Sequence, residues 1–95
     1  MESEKNIERY LVKKMKSIGG KAYKFVSPGN AGVPDRVVIF PNGALIFAEL
    51  KCETGEPSEV QKYQIGRLRA LLQEVRVLYS KSDVDSLLKE FGGTE

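Results

Sequence analysis

Asp35 follows Pro34, and thirteen residues separate it from Glu49-Leu50-Lys51. Successive side chains of an extended strand alternate between faces, so Glu49 and Lys51 share one face and Leu50 takes the other. Both charges close a run, Ala44-Leu45-Ile46-Phe47-Ala48, that is otherwise apolar. A carboxylate and an ammonium at the end of a core strand are costly without partners. Two carboxylates brought together repel, and a divalent cation resolves the conflict. Asp35, Glu49 and the backbone carbonyl of Leu50 offer three hard oxygens, which suits Mg2+, with Mn2+ able to substitute. A cation there would polarise a phosphoryl oxygen and acidify water, and Lys51 would stabilise charge developing on phosphorus. The competing reading is a structural salt bridge between Lys51 and a carboxylate, because the bare spacing is a weak pattern.

Whether Asp35 meets Glu49 depends on the turn between their strands. Residues 35–40 and 44–50 are rich in Val, Ile and Phe and read as strands. Pro41-Asn42-Gly43 reads as a three-residue hairpin loop with glycine at the left-handed position. Phe40 then pairs with Ala44, and the same register sets Asp35 opposite Glu49 on one face. A two-residue loop would turn Asp35 to the wrong face unless a bulge corrected it.

The remaining elements follow from periodicity. Residues 2–17 form an amphipathic helix with Ile7, Leu11, Met15 and Ile18 at helical spacing, stopped by Gly19-Gly20. Residues 21–26 read as a short strand, and Ser27 to Pro34 as a loop. A helix over 58–73 is expected to turn Val60, Gln64, Leu68, Leu71 and Leu72 to one side. Residues 75–79 alternate as a strand, and 83–91 form a last helix with Val84, Leu87, Leu88 and Phe91 inward. The order α-β-β-β-α-β-α implies an α/β fold, a mixed sheet flanked by helices. A chain of 95 residues is expected to be one domain, 1–95.

Absent residue types exclude whole chemistries. With no histidine, histidine bases, Ser-His-Asp triads and histidine-ligated zinc are impossible within the chain. The single cysteine, Cys52, excludes an internal disulfide and is expected to be a buried small residue. No apolar run approaches the roughly 20 residues of a membrane span, and a cytoplasmic setting, in a bacterial or virus-infected cell, is the default. The net charge of +2 hides an uneven distribution: residues 1–24 carry +4, 25–60 carry −3 and 61–95 carry +1. A basic arm beside an acidic centre suits a phosphate backbone with cations held in the middle, although surplus lysines on a solvated helix are the plainer reading.

The stretch Gly32-Val33-Pro34-Asp35-Arg36-Val37-Val38, then Gly43 and Phe47-Ala48-Glu49-Leu50-Lys51, resembles the virus-type replication-repair nuclease (VRR-NUC) domain of the PD-(D/E)xK nuclease superfamily. The resemblance spans roughly residues 7–80. It implies that Asp35 and Glu49 are metal ligands and that Lys51 is the catalytic lysine. It further implies a glutamate on the first helix completing the metal site, for which Glu8 is the candidate and Glu4 the fallback. Gln61 matches a family glutamine early on the second helix, but Ser58-x-x-Gln61 also reads as a capping box. Lys24, with Lys21 and Asn30 nearby, would contact substrate phosphate. Arg36 should face away from the site and make an ion pair or a phosphate contact.

The resulting expectation is a magnesium-dependent, structure-selective DNA endonuclease. Stand-alone domains of this family resemble Holliday junction resolvases, which implies a homodimer acting on branched DNA, a four-way junction or flap. The region around Tyr63, Gly66 and Ala70 is the candidate interface. The alternatives are a binding module that grips nucleic acid without cutting it, and a structural protein whose charges are ordinary salt bridges.

Overall fold

The computed structural model describes residues 2–92. The elements are α1 (Glu4–Ser17), β1 (Lys21–Lys24), β2 (Arg36–Ile39), β3 (Leu45–Leu50), α2 (Glu59–Ala70), β4 (Val75–Leu78) and α3 (Lys81–Phe91). The order expected from the sequence therefore holds, with several ends shorter than expected and α3 starting two residues earlier, at Lys81. The four strands form one mixed sheet in the order β1-β2-β3-β4. The first two pairings are antiparallel and β3 runs parallel to β4. A parallel neighbour requires a crossover, and α2 provides it.

The hairpin between β2 and β3 sets the register. Gly43 N–H donates to Phe40 O and Phe40 N–H to Ala44 O, each at 2.9 Å. Gly43 has φ 91°, a left-handed conformation that costs glycine little. Asn42 Oδ1 accepts from Ala44 N–H at 2.9 Å, and Asn42 Nδ2 donates to Phe91 O at 2.8 Å. Arg36 lies opposite Ala48 and Ile39 opposite Leu45. One more step of this register sets Asp35 abreast of Glu49, as the three-residue loop requires.

Alternation divides the sheet. Ala22, Val38, Phe40, Ile46, Ala48, Leu50 and Leu78 join Ile7, Leu11 and Met15 of α1 and Val84 and Leu87 of α3 in one buried cluster. The side chains alternating with these point to the face where α2 lies. Phe25, just past β1, packs there on Phe47 with ring centroids 5.5 Å apart. Ser3, Ser58 and Ser80 each cap the helix that follows, accepting a backbone N–H three residues on. None of the described helices is long and apolar enough to cross a membrane.

The inward side of α2 differs from the expected one. Ile65 is its only buried residue, while Gln61, Gln64 and Leu68 are half-buried. Val60, Leu71 and Leu72 are exposed, Leu72 at 92%. The reason is polar: Gln64 Nε2 donates to Ala31 O at 3.2 Å and Gln61 reaches Glu49, so two glutamines fix the helix's rotation. Leu72 lies beyond the helix with φ 65°. Cys52 also departs from expectation. It is half-buried, its Sγ 3.9 Å from Thr54 Oγ1, because β3 ends at Leu50 and alternation stops there.

Candidate active site

β2 begins and the antiparallel β3 ends at the same end of the sheet, and the site forms there. Asp35 directly precedes β2. Its backbone carbonyl accepts from Phe25 N–H at 2.9 Å, and its carboxylate Oδ2 accepts from Leu50 N–H at 2.9 Å. The side chain thus takes the place of the next rung of the ladder. Both backbone polar groups of a strand residue point to the same neighbour, so the Leu50 carbonyl also faces the Asp35 side. Lys51 N–H turns the other way, to Leu78 O at 3.0 Å.

Glu49 is the centre of the arrangement. It is 1% exposed and is the buried charged residue of the described core. Its Oε2 lies 3.4 Å from Lys51 Nζ and accepts from Gln61 Nε2 at 3.0 Å. Its Oε1 is buried with no hydrogen-bond partner. Burial pushes the Glu49 carboxyl up to about 7, with the Asp35 charge adding to the rise and Lys51 opposing it. Glu4, at the start of α1, contributes a smaller repulsion.

Gln61 forms the expected capping box and also reaches Glu49. Its Oε1 accepts from Ser58 N–H at 2.8 Å and its own N–H donates to Ser58 Oγ at 3.3 Å, a complete capping box. Because the Ser58 N–H needs an acceptor, the amide nitrogen must face outward, and it lands on Glu49. One side chain therefore closes a helix end and orients a buried carboxylate. The loop before β2 holds this helix end in place. Gly32 has φ +88°, and a Cβ there would lie 2.8 Å from the Val60 carbonyl group, so the two backbones meet where only glycine fits.

Of the sequence-derived site residues, Asp35, Glu49, Leu50, Lys51 and Gln61 come together. Glu8 does not join them. It lies on the α1 side of the sheet, where its Oε2 accepts from Arg36 Nε at 2.8 Å, and Arg36 Nη1 also donates to Ala22 O at 3.1 Å. Arg36 thus makes the ion pair expected of it, and its partner is the glutamate assigned to the metal. Alternation places Arg36 on the face that α1 covers, opposite to Asp35 and Glu49, which explains the pairing. Glu4 is the first-helix acid whose charge reaches Glu49. Lys21, Lys24 and Asn30 are exposed, with Asn30 Nδ2 turned to Ser27 Oγ at 2.9 Å.

The donor set fits a divalent cation. Two carboxylates and a carbonyl share one sheet end, and a buried carboxylate oxygen lacks a partner. Among the described residues no group of three His, Cys, Asp or Glu side chains converges, so solvent or substrate oxygens would complete the shell.

A mixed four-stranded sheet between helices, with Asp and Glu-x-Lys at the ends of adjacent strands, defines the PD-(D/E)xK nuclease fold. No family model matches the chain. A solved VRR_NUC domain superposes with a TM-score of 0.84 at 28% identity, over 95% of this chain and 99% of that one. A protein of Acyrthosiphon pisum secondary endosymbiont phage 1 named "Putative nuclease p44" is 49% identical over 85 residues, 90% of each chain. The chain belongs to the VRR-NUC family.

Proposed function

We propose that this protein is a magnesium-dependent endonuclease that hydrolyses DNA phosphodiesters, prefers branched DNA and works as a homodimer. The observation that carries the reading is the buried Glu49, held by Gln61 and Lys51 beside Asp35 with one oxygen left unpartnered. A structural salt bridge alone has no use for a second carboxylate or for an oxygen without a partner.

Asp35, Glu49 and the Leu50 carbonyl would hold the cation. When bound, it supplies Lewis-acid polarisation of the phosphoryl group and acidification of water. In the hydrolysis, a water oxygen bonds to phosphorus while the opposite P–O bond breaks, and the departing strand oxygen takes up a proton. Gln61 keeps Glu49 Oε2 in one orientation throughout. Lys51, 15% exposed at the rim, places a positive charge beside the phosphorus oxygens as their charge grows. Lys21, Lys24 and Asn30 would contact the backbone without reading bases. The dimer reading rests on the outward side of α2, where Val60 and Tyr63 are 47% and 62% exposed.

The test is cleavage of labelled linear duplex, single strand, flap and four-way junction in magnesium, manganese or EDTA, with Lys51→Ala beside the wild type. Metal-dependent cutting of the branched substrates, lost in the variant, is the expected result. Binding without cutting in any metal would replace the nuclease by a binding module.

A further inference from the structure

On the face of the sheet opposite Glu49, α1 and β1 bound a groove of about 530 Å³. It is lined by Lys5, Arg9, Lys13 and Lys16 from one side of α1, and by Lys24 and Arg36 from the sheet. Glu8 is the one acid in the lining, and Arg36 already neutralises it. Among the described residues, no carboxylate ion-pairs with Lys5, Arg9, Lys13, Lys16 or Lys24. An ordinary solvated helix intersperses its acids. Here successive steps of four, four and three residues keep four cations in one row. The row is about 16 Å long at 1.5 Å per residue, the axial length of about five phosphates of one strand.

The groove is close to the candidate active site but separate from it. Lys24 pairs with Arg36 across the ladder, and Arg36 follows Asp35 directly, its side chain turned the other way. The two faces thus meet at one end of the sheet, beside the edge strand β1.

We infer that this groove is a second nucleic-acid site, one that holds phosphodiester backbone beyond the stretch lying over Asp35 and Glu49. The inference rests on the nuclease reading for its ligand class, and the site itself is built by α1, β1 and Arg36 of β2. It implies that affinity and its salt dependence reside largely in residues that take no part in cleavage.

The test is fluorescence anisotropy with labelled duplex and single-stranded DNA in EDTA, titrated between about 50 and 200 mM salt. Lys13→Gln/Lys16→Gln is compared with the charge-matched control Arg67→Gln/Lys89→Gln on α2 and α3, both exposed and outside the groove. Both substituted lysines of the groove are exposed, so thermal melts should match the wild type. For duplex, each lost phosphate contact removes about 0.9 from the slope of log K against log salt. We expect the slope to fall by nearly two and affinity to fall about tenfold or more, with the control moving neither. An unchanged slope and affinity, or no binding of either probe by the wild type, overturns the inference. Cleavage is scored separately. Cutting by a wild type whose groove variant binds normally removes the groove and keeps the nuclease. A salt-slope loss in a protein that never cuts removes the nuclease and keeps the groove.

Discussion

Glu49 is a carboxylate that the folded, metal-free chain cannot comfortably ionise. Its carboxyl is pushed up to about 7 from an ordinary 4.5, by burial first and the Asp35 charge second. Between those values the folded chain keeps a proton that the unfolded chain has released. This group's contribution to stability is therefore greatest at low pH and is lost as pH rises through about 7, by an amount on the order of 3 kcal/mol. Thermal melts in EDTA should fall from about pH 5 to pH 8, and Glu49→Gln should flatten that slope. Gln61 allows its two roles to be separated. Gln61→Ala removes both contacts and should cost about 1–2 kcal/mol by denaturant titration, along with cleavage. Gln61→Glu keeps an acceptor for Ser58 N–H but sets a second carboxylate against Glu49, so it should retain much of the cap and still lose cleavage. Both roles were legible in the sequence, as alternatives. That one amide fills both could not be read from spacing, because it depends on which of its ends meets the Ser58 N–H.

At the scale of elements, two glycines position the site for different reasons. Gly43 sits in open space at φ +91°, so Gly43→Ala should cost only the conformational penalty, about 1 kcal/mol. Gly32 combines φ +88° with backbone contact to α2. Gly32→Ala should cost 2 kcal/mol or more, on the scale of a cis-strained or overpacked position, and should also impair cleavage by moving Gln61. Chemical denaturation of the two variants side by side checks the ranking. The hairpin register was readable because a three-residue loop ending in glycine permits one pairing, and alternation then fixes which side chains share a face. The face of α2 was not readable in this way. Its inward side carries Gln61, Gln64 and a single buried Ile65, so a search for apolar spacing selects Val60, Leu71 and Leu72, which the fold leaves outside. Glu8 was misplaced for a related reason. A helix pattern shows which residues border its apolar stripe but not which sheet face the helix will cover. Arg36, alternating with Asp35, held that information. Glu8→Gln should therefore cost about 1 kcal/mol through the Arg36 pair.

For the whole molecule, the sheet separates two charge patterns. One face holds the buried Glu49 and the half-buried Asp35 with a lysine and a glutamine, and the other carries a row of cations on α1. The +4 charge of residues 1–24, which composition alone could attribute to a solvated helix, becomes a groove only because β1 folds against α1. The outward side of α2 exposes Val60 and Tyr63, and if it is the dimer interface, light scattering should return twice the 10.6 kDa chain mass. A mass near one chain would remove the dimer while leaving the site intact.

Whether Asp35, Glu49 and Lys51 cut phosphodiesters is decided by the single-turnover cleavage rate of the best substrate in magnesium. Wild type, Lys51→Ala and Asp35→Asn would be compared at matched DNA binding and unchanged fold. We expect each variant to lose at least about a hundredfold in rate while binding DNA as the wild type does. Cleavage at an undiminished rate by both variants would contradict the account and place the chemistry elsewhere in the chain.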